Sequence, residues 1–507
     1  MTRDECATFP FSPRYIRSIC ALRTADLKGG GPRYRLHRGG TLRRAAVKIL
    51  VLISALSSLA LGLPNDPPAF QPYPGTGMFL MLSDIHFDPY ADPAIMEQLG
   101  AKPTEACRTP GSTAFSGFGS DTNYPLLKST LDHVAATAAE NHFHYDYVIV
   151  TGDFLAHHFD ASYRRCVGGG EEAYQKFASD TIRLVDGMIA KVLPGVPVFA
   201  ALGNNDSDRG DYAEPSEFFL QSVGRDWSRA WGNLPAGARA RALATFGRAG
   251  NYAAPHPTVP NHEFVILNSN LWAAGNPQAC SETDPDPGGQ FQWLGEVLDR
   301  VKHAGGTATL IMHILPGIDA MRSSGGAPRA FWTDRCTQKL IAELTDFRGV
   351  VREIYAGHIH RDDFRLLPDR EGRPLLAIHI LPAVSPVYFD NPAVEIGWYD
   401  QSNGELRDYA PQYLNLGNPE ATWMTEYVFT RAYGLPRPNL AALEELSREI
   451  HEGNPNSGVG KQYANYYGAG INLFLTPFNW SNYSCAQTEI STSGFVMCKR
   501  AGAHPRP

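Results

Sequence analysis

Seven side chains of metal-binding type fall in five short segments of this 507-residue chain: Asp84-x-His86, Gly152-Asp153, Gly203-Asn204, His313 and Gly357-His358-x-His360. Carboxylate oxygens mixed with imidazoles suit borderline ions, zinc first, with iron or manganese as alternatives. An aspartate among them can bridge two ions, one per oxygen. Two ions about 3.5–4 Å apart can share a hydroxide and so make a nucleophile at neutral pH. Taken singly, Asp-x-His or Gly-Asp is a common structural pair, and Gly-His-x-His is the most specific of the five. The case rests on all five occurring in one chain, each directly after an apolar run.

Those runs are the elements that must position the ligands. Residues 78–82 lead into Ser83-Asp84, residues 147–150 into Thr151-Gly152-Asp153, and residues 196–202 into Gly203-Asn204. Residues 307–312 lead into His313, and residues 350–356 into Gly357-His358. A sixth run, residues 262–267, ends at Asn268-Ser269-Asn270. Short apolar runs closed by polar or small residues read as buried strands. Between them, residues 124–140, 172–193 and 290–303 read as helices. The alternation predicts a layered α/β architecture. In such sheets ligands bind beyond the carboxyl ends of the strands, where all seven side chains stand.

This catalytic domain is expected over residues 75–405. Beyond residue 406 the pattern changes: Asn439 is placed to cap a helix at 440–446, and the tail to residue 507 reads as a small, mostly helical subdomain. Residues 88–123 and 206–250 read as loops that would select the substrate.

Composition is that of a globular protein, 43% hydrophobic and 19% charged. Formal net charge is −7, from 45 Lys/Arg and 52 Asp/Glu, yet the first 60 residues hold 11 Lys/Arg against 3 Asp/Glu. The remaining body is therefore strongly acidic, and nucleic acid is not expected as a partner. Residues 42–60 read as a secretory signal peptide: basic Arg43, Arg44 and Lys48, an apolar run at 49–56, and small residues Ser58 and Ala60. The run falls short of the roughly 20 residues that a transmembrane helix needs, so no membrane span is expected. Residues 1–41, basic and without apolar periodicity, read as a non-structured leader or as sequence upstream of a true start near Leu42. A secreted, periplasmic or lumenal monomer is the resulting expectation.

Six cysteines remain beyond that region: Cys107, Cys166, Cys280, Cys336, Cys485 and Cys498. None forms a CxxC pair, and an even number suits an oxidising compartment. Neighbour pairing (107–166, 280–336, 485–498) is preferred among fifteen connectivities, with free buried thiols as the alternative. Asn205-Asp206-Ser207, Asn479-Trp480-Ser481 and Asn482-Tyr483-Ser484 match the N-glycosylation pattern.

The five segments together resemble the signature of the calcineurin-like metallophosphoesterases. The resemblance implies a four-layer fold, a two-sheet β-sandwich flanked by helices. It implies Asp84, His86 and His360 as ligands of a first metal, Asn204, His313 and His358 as ligands of a second, and Asp153 as the bridge. The segments 268–272, 290–294, 357–362, 382–387 and 391–400 are similar to acid sphingomyelinases and their sphingomyelinase-like phosphodiesterase relatives. The implied reaction on a small-molecule phosphoester is in-line attack by a metal-bridging hydroxide, with a general acid protonating the departing oxygen.

One departure bears on that acid. The family supplies it from Gly-Asn-His-Asp or Gly-Asn-His-Glu, and this chain reads Gly203-Asn204-Asn205-Asp206. Asparagine can donate a hydrogen bond to substrate but cannot give up a proton near neutral pH. His157, four residues after Asp153, is the replacement acid in one reading. In the other, the substrate is a phosphoanhydride, whose phosphate leaves unprotonated; fungal endopolyphosphatases resemble this chain in carrying Asn-Asn-Asp there. A pseudoenzyme that binds metal or phosphate without turnover is the remaining alternative, and the complete ligand set opposes it.

Overall fold

β1 (Thr76–Leu82) is buried along almost its whole length, with Phe79 reaching one side and Leu80 and Leu82 the other. A strand buried on both faces must lie between two layers. Phe79 packs on Tyr147 at 4.8 Å and on Tyr355 at 6.0 Å, so one of those layers is a second sheet. The computed structural model describes residue 70 and residues 73–107, 112–324 and 326–502. The leader expected at 1–41 and the signal peptide expected at 42–60 lie outside the described residues.

The first sheet has the order β12-β11-β10-β1-β2-β3, with β2 Tyr147–Val150, β3 Val198–Ala200, β10 Ala393–Asp400, β11 Leu406–Leu414 and β12 Trp423–Thr425. The second has the order β4-β5-β6-β7-β9-β8, with β4 Tyr252–Pro255, β5 His262–Ile266, β6 Thr307–Ile311, β7 Val351–Ala356, β8 Asp363–Pro368 and β9 Pro374–Ile380. β1, β2 and β3 run parallel, as do β5, β6, β7 and β9. Between the sheets Tyr147 meets Phe264 at 5.0 Å and Phe199 meets Phe264 at 4.9 Å. Such aromatic pairs contribute about 0.5–1.5 kcal/mol each beyond their burial.

Helices Tyr124–Glu140, Glu171–Val192 and Glu217–Ala230 flank the first sheet and share its core, through Leu127, Leu131, Ile182, Val185 and Phe219. Helices Gln290–His303 and Asp334–Asp346 cover the second sheet with Leu294, Leu298, Leu340 and Leu344. The result is the expected four-layer arrangement of helices, two sheets and helices.

Two differences from the sequence reading concern boundaries. β11 and β12 lie beyond residue 405 yet extend the first sheet, because β10 needs a partner on its outer side. The helical tail begins at Phe429 and comprises Phe429–Tyr433, Leu440–Glu452, Gly458–Tyr466, Trp480–Ala486 and Thr492–Gly502. Asn439 caps the second of these by accepting a hydrogen bond from the Ala442 amide at 3.1 Å. Residues 206–250, read as a loop, fold largely into helices Glu217–Ala230 and Ala236–Ala249.

Among the described residues neighbouring cysteines pair in three disulfides: Cys107–Cys166, Cys280–Cys336 and Cys485–Cys498. Asn205 and Asn482 of the glycosylation patterns are buried. Among the described residues no helix is long and apolar enough to cross a membrane.

Candidate metal centre

Both sheets aim their carboxyl ends at one place. β1, β2 and β3 deliver Asp84, His86, Asp153 and Asn204 from the first sheet. β6 and β7 deliver His313, His358 and His360 from the second. Five of these seven residues hold positive φ: Asp84 at 47°, His86 at 44°, Asp153 at 57°, His358 at 75° and His360 at 57°. L-residues avoid this left-handed region, and each instance costs on the order of 1–3 kcal/mol. The backbone is held there by cross-loop hydrogen bonds, Asp84 N to the Gly152 carbonyl at 3.0 Å and His86 N to the Asp153 carbonyl at 2.8 Å.

Two glycines are required by close approach. A Cβ on Gly203 would sit 2.0 Å from Asp153 Oδ1, and one on Gly357 would sit 2.1 Å from Ser83 Oγ. The glycine before Asn204 and before His358 is therefore what lets neighbouring strand ends crowd together.

The side chains converge. Asp84 Oδ1 lies 3.2 Å from His360 Nε2 and 3.7 Å from His86 Nε2. Asp153 Oδ2 lies between His86 Nε2 at 3.4 Å and His313 Nε2 at 3.2 Å. Asn204 Oδ1 is 3.1 Å from the same His313 nitrogen. Donor atoms of Asp84, His86 and Asp153 lie within 4.8 Å of one another, as do those of Asp153, His313 and His358. Asp153 is the residue common to both groups.

The ring tautomers test whether cations fit here. His86 Nδ1 donates to the Leu155 carbonyl at 3.0 Å and His313 Nδ1 donates to the Thr151 carbonyl at 2.9 Å. Each Nε2 of a neutral ring is then a lone pair, turned toward carboxylate or amide oxygens that are acceptors themselves. Acceptors facing acceptors in a buried site need a cation between them. With protons alone to supply it, burial would lower His313, but Asp153 and Asp84 outweigh burial and raise it to about 9. Burial would raise Asp84, and the His360 and His313 charges instead hold it well below the usual carboxylate range. Burial and the His313 charge push His358 down to about 3, leaving its ring a neutral donor. Two carboxylates, four imidazoles and one amide oxygen therefore make a donor set that fits two cations.

His157 and Asn205 flank this group. The His157 ring stacks on His86 at 4.0 Å. Its Nδ1 donates to Asp121 Oδ1 at 2.9 Å and its backbone N–H to Asp121 Oδ2 at 2.9 Å, which leaves Nε2 facing the site, 3.4 Å from the Tyr388 hydroxyl. Burial would raise Asp121, but the His157 donor overrides it and holds the carboxyl below its ordinary range. Asn205 donates to both oxygens of Asp153, from its backbone at 2.8 Å and from Nδ2 at 2.9 Å. His158 turns away as the left-handed residue before helix Phe159–Cys166.

Several residues here escape the sequence reading. Asp121 comes from the irregular stretch before Tyr124 and carries no local motif. Tyr212 places its hydroxyl 3.3 Å from His358 Nε2, and the Tyr388 ring meets the His360 ring edge-on at 4.6 Å. Asp206 accepts the amides of Phe154 at 2.8 Å, Leu155 at 3.1 Å and Gly203 at 2.8 Å, tying the loops after β2 and β3 together. Burial, then the Asp153 charge, lift Asp206 to about 6. Its position at the end of Gly203-Asn204-Asn205-Asp206 was the signal available.

The family model for calcineurin-like phosphoesterases matches residues 78–362, the span that contains all seven converging side chains. Human cyclic GMP-AMP phosphodiesterase is 25% identical over 86% of this chain and 90% of its own length. Human acid sphingomyelinase-like phosphodiesterase 3b is 26% identical over 85% of this chain and 92% of its own length. A solved dimetal phosphatase from Danio rerio covers 67% of this chain and 96% of its own, with 14% identity and a TM-score of 0.37. The chain belongs to the calcineurin-like phosphoesterase family: it is a metal-dependent phosphoesterase similar to the acid-sphingomyelinase-like branch.

Proposed function

We propose that this chain hydrolyses small-molecule phosphodiesters at a two-metal centre, with His157 protonating the oxygen that leaves. The observation that carries the reading is the contrast between His157 and Asn205. Asn205 is spent on both oxygens of Asp153, so it orients a ligand and has no proton to give. His157 is clamped at Nδ1 and at its backbone by Asp121, which points Nε2 into the site, and in the imidazolium form that the Asp121 carboxylate pairs with, that nitrogen carries the proton to be donated. In this reading Asp84, His86 and His360 hold one metal, Asn204, His313 and His358 the other, and Asp153 both. Zinc is the first choice for a set with four imidazoles, and iron or manganese the second. When bound, such a pair neutralises phosphate oxygens and acidifies a shared water.

The protein's own groups do the rest. The Leu155 and Thr151 carbonyls fix the rings of His86 and His313, and Tyr212 and Tyr388 wall the space in front of them. Both human relatives are named as phosphodiesterases, which supports a diester as substrate, a cyclic dinucleotide or a lipid headgroup ester. Export through residues 42–60 belongs to the same reading, and three disulfides support it.

A second reading, phosphoanhydride hydrolysis, draws on Asn205 itself, because a phosphate leaving group needs no acid. Turnover by protein stripped of metal and reloaded with zinc or manganese separates the two. The panel is bis-p-nitrophenyl phosphate, a cyclic dinucleotide, sphingomyelin, a nucleoside triphosphate and polyphosphate. Metal-dependent diester cleavage is expected. Turnover of anhydrides alone would replace this reading with the second, and metal binding without turnover would leave the pseudoenzyme.

A further inference from the structure

Among the seven converging side chains, Asn204 is the one whose two ends differ in kind. Its amide carries an oxygen that can bind a cation and, on the same carbon, a nitrogen that cannot, and a half-turn of the side chain exchanges them. Asp84 and Asp153 escape this problem, because either carboxylate oxygen can bind. The Asn204 amide therefore needs a partner that holds its oxygen inward. Nδ2 donates to Asp211 Oδ1 at 2.7 Å, while Oδ1 stands 3.1 Å from His313 Nε2. A carboxylate offers only acceptors, so Asp211 takes the nitrogen end of the amide and repels the oxygen end.

Asp211 lies seven residues beyond Asn204, in the loop between β3 and helix Glu217–Ala230. That loop folds back on its own start, with Tyr212 N donating to the Asn204 carbonyl at 3.0 Å. Tyr212 holds φ at 58°, a left-handed conformation that a bulky residue keeps only where its surroundings impose it. The backbone bond to Asn204 fixes one side of it. On the other, its hydroxyl stands 3.3 Å from His358 Nε2, and its ring fills the space that Gly275 leaves, where a Cβ would come within 2.6 Å of Tyr212 Cδ1. Asp211 itself is exposed, so the core makes no demand on its side chain.

This strained pair serves one set of ligands. Asn204 and His358 belong to the set assigned to the second metal, and among the described residues neither Asp211 nor Tyr212 hydrogen-bonds to Asp84, His86 or His360. The second set has no carboxylate beyond the shared Asp153, whereas the first has Asp84. Retention of the second ion thus depends more on how its neutral donors are aimed. We propose that Asp211 and Tyr212 are the positioning residues of the second metal: Asp211 keeps Asn204 Oδ1 turned inward, and Tyr212 holds the His358 ring. The inference rests on the two-metal reading above and adds to it the residues that set the hold on one ion of the pair. Partners one step out from a ligand contribute about 10–100-fold in metal affinity.

The test is zinc binding by the full chain stripped of metal, read by elemental analysis after dialysis against graded free zinc. Wild type is expected to hold a pair of ions. Asp211→Ala and Tyr212→Phe should each keep one ion at wild-type affinity and bind the other about 10–100-fold more weakly. The double variant should still keep the first ion, and adding Asp84→Asn should weaken that one too. Metal-free unfolding temperatures should match wild type. A full pair held at wild-type affinity by Asp211→Ala overturns the inference and leaves the two-metal reading standing. Equal weakening of both ions, or a lower metal-free unfolding temperature, also overturns it, since either marks a merely structural role. Failure of the wild type to hold a pair sinks the two-metal reading itself, and the inference with it.

Discussion

His157→Ala is the perturbation that reaches furthest into the proposed mechanism. The ring is fixed at three points: Nδ1 on Asp121, the backbone N–H on the same carboxylate, and its face on His86. A positioned general acid contributes about 10²–10⁴ in rate. A ring with so little freedom belongs in the upper half of that range, so about 10³–10⁴, or roughly 4–5 kcal/mol of transition-state stabilisation, should disappear. The loss applies only where the leaving oxygen needs a proton. Across phosphodiesters of graded leaving-group acidity, kcat should fall by that full factor for alkoxides and by no more than about threefold for p-nitrophenolate. Metal content measured alongside reports whether His86 keeps its place once its stacking partner is gone. A uniform fall across the series would show the ring to be structural, and the assignment of His157 as acid would be withdrawn.

Asp121→Asn offers one acceptor oxygen where His157 directs two N–H donors, so it should reproduce the same leaving-group dependence at about a tenth of the size; unchanged kcat for alkoxides would contradict this. Asp153→Asn removes the carboxylate common to both ligand groups, and bound metal per chain should drop by at least half with kcat down roughly 10³-fold or more. Retention of two metals by elemental analysis would count against the bridge. Burial raises Glu395 in β10 well above its ordinary range, so the folded chain keeps a proton that the unfolded chain releases. Stability from this group is full below the unfolded value near about 4 and falls as pH rises above it, by up to about 1.4 kcal/mol per unit. Glu395→Gln, which stays neutral beside His379, should therefore raise Tm at pH 7.5 and leave it nearly unchanged at pH 4.5; equal shifts at both pH values would refute the sign. Loss of Cys280–Cys336, which closes a loop over 56 residues, should cost about 4 kcal/mol by loop entropy, read from denaturant midpoints of the double serine variant.

The residues that converge are those that chemistry makes conspicuous: each stands where an apolar run stops, and that pattern is local. β10 and β11 hide because their sequences break it. β10 buries Glu395 and Gly397, and β11 carries Arg407, Asp408 and Pro411. They are strands because β1 and each other supply hydrogen-bond partners, which no window of sequence displays. Helix Glu217–Ala230 had one legible sign, Ser216, whose hydroxyl accepts from the Phe219 amide at 3.1 Å. Helix Ala236–Ala249 is obscured by Gly237 and Gly247, residues of low helix propensity that its packing overrides. Asp121 is invisible for a different reason. It stands 36 residues from His157, and only the approach of the Phe87, Thr122 and Leu155 backbones brings the pair together.

The return of the chain to the first sheet has a consequence in time. Thr76 pairs with Asp400, and the second sheet is built between them. As the chain is synthesised, the edge of β1 that β10 will take stays open until residues 393–400 emerge, a long-range closure of the kind that slows folding. All seven converging side chains have been made by His360, before that edge is covered. The stretch leading into β10 also fastens the loop after β1, with Val384 N on the Ser83 carbonyl at 3.1 Å and Ser385 N on the Asp84 carbonyl at 3.1 Å. A chain stopped after β9 would thus own every converging side chain while leaving the loop after β1 unlatched and an apolar strand edge open to other molecules.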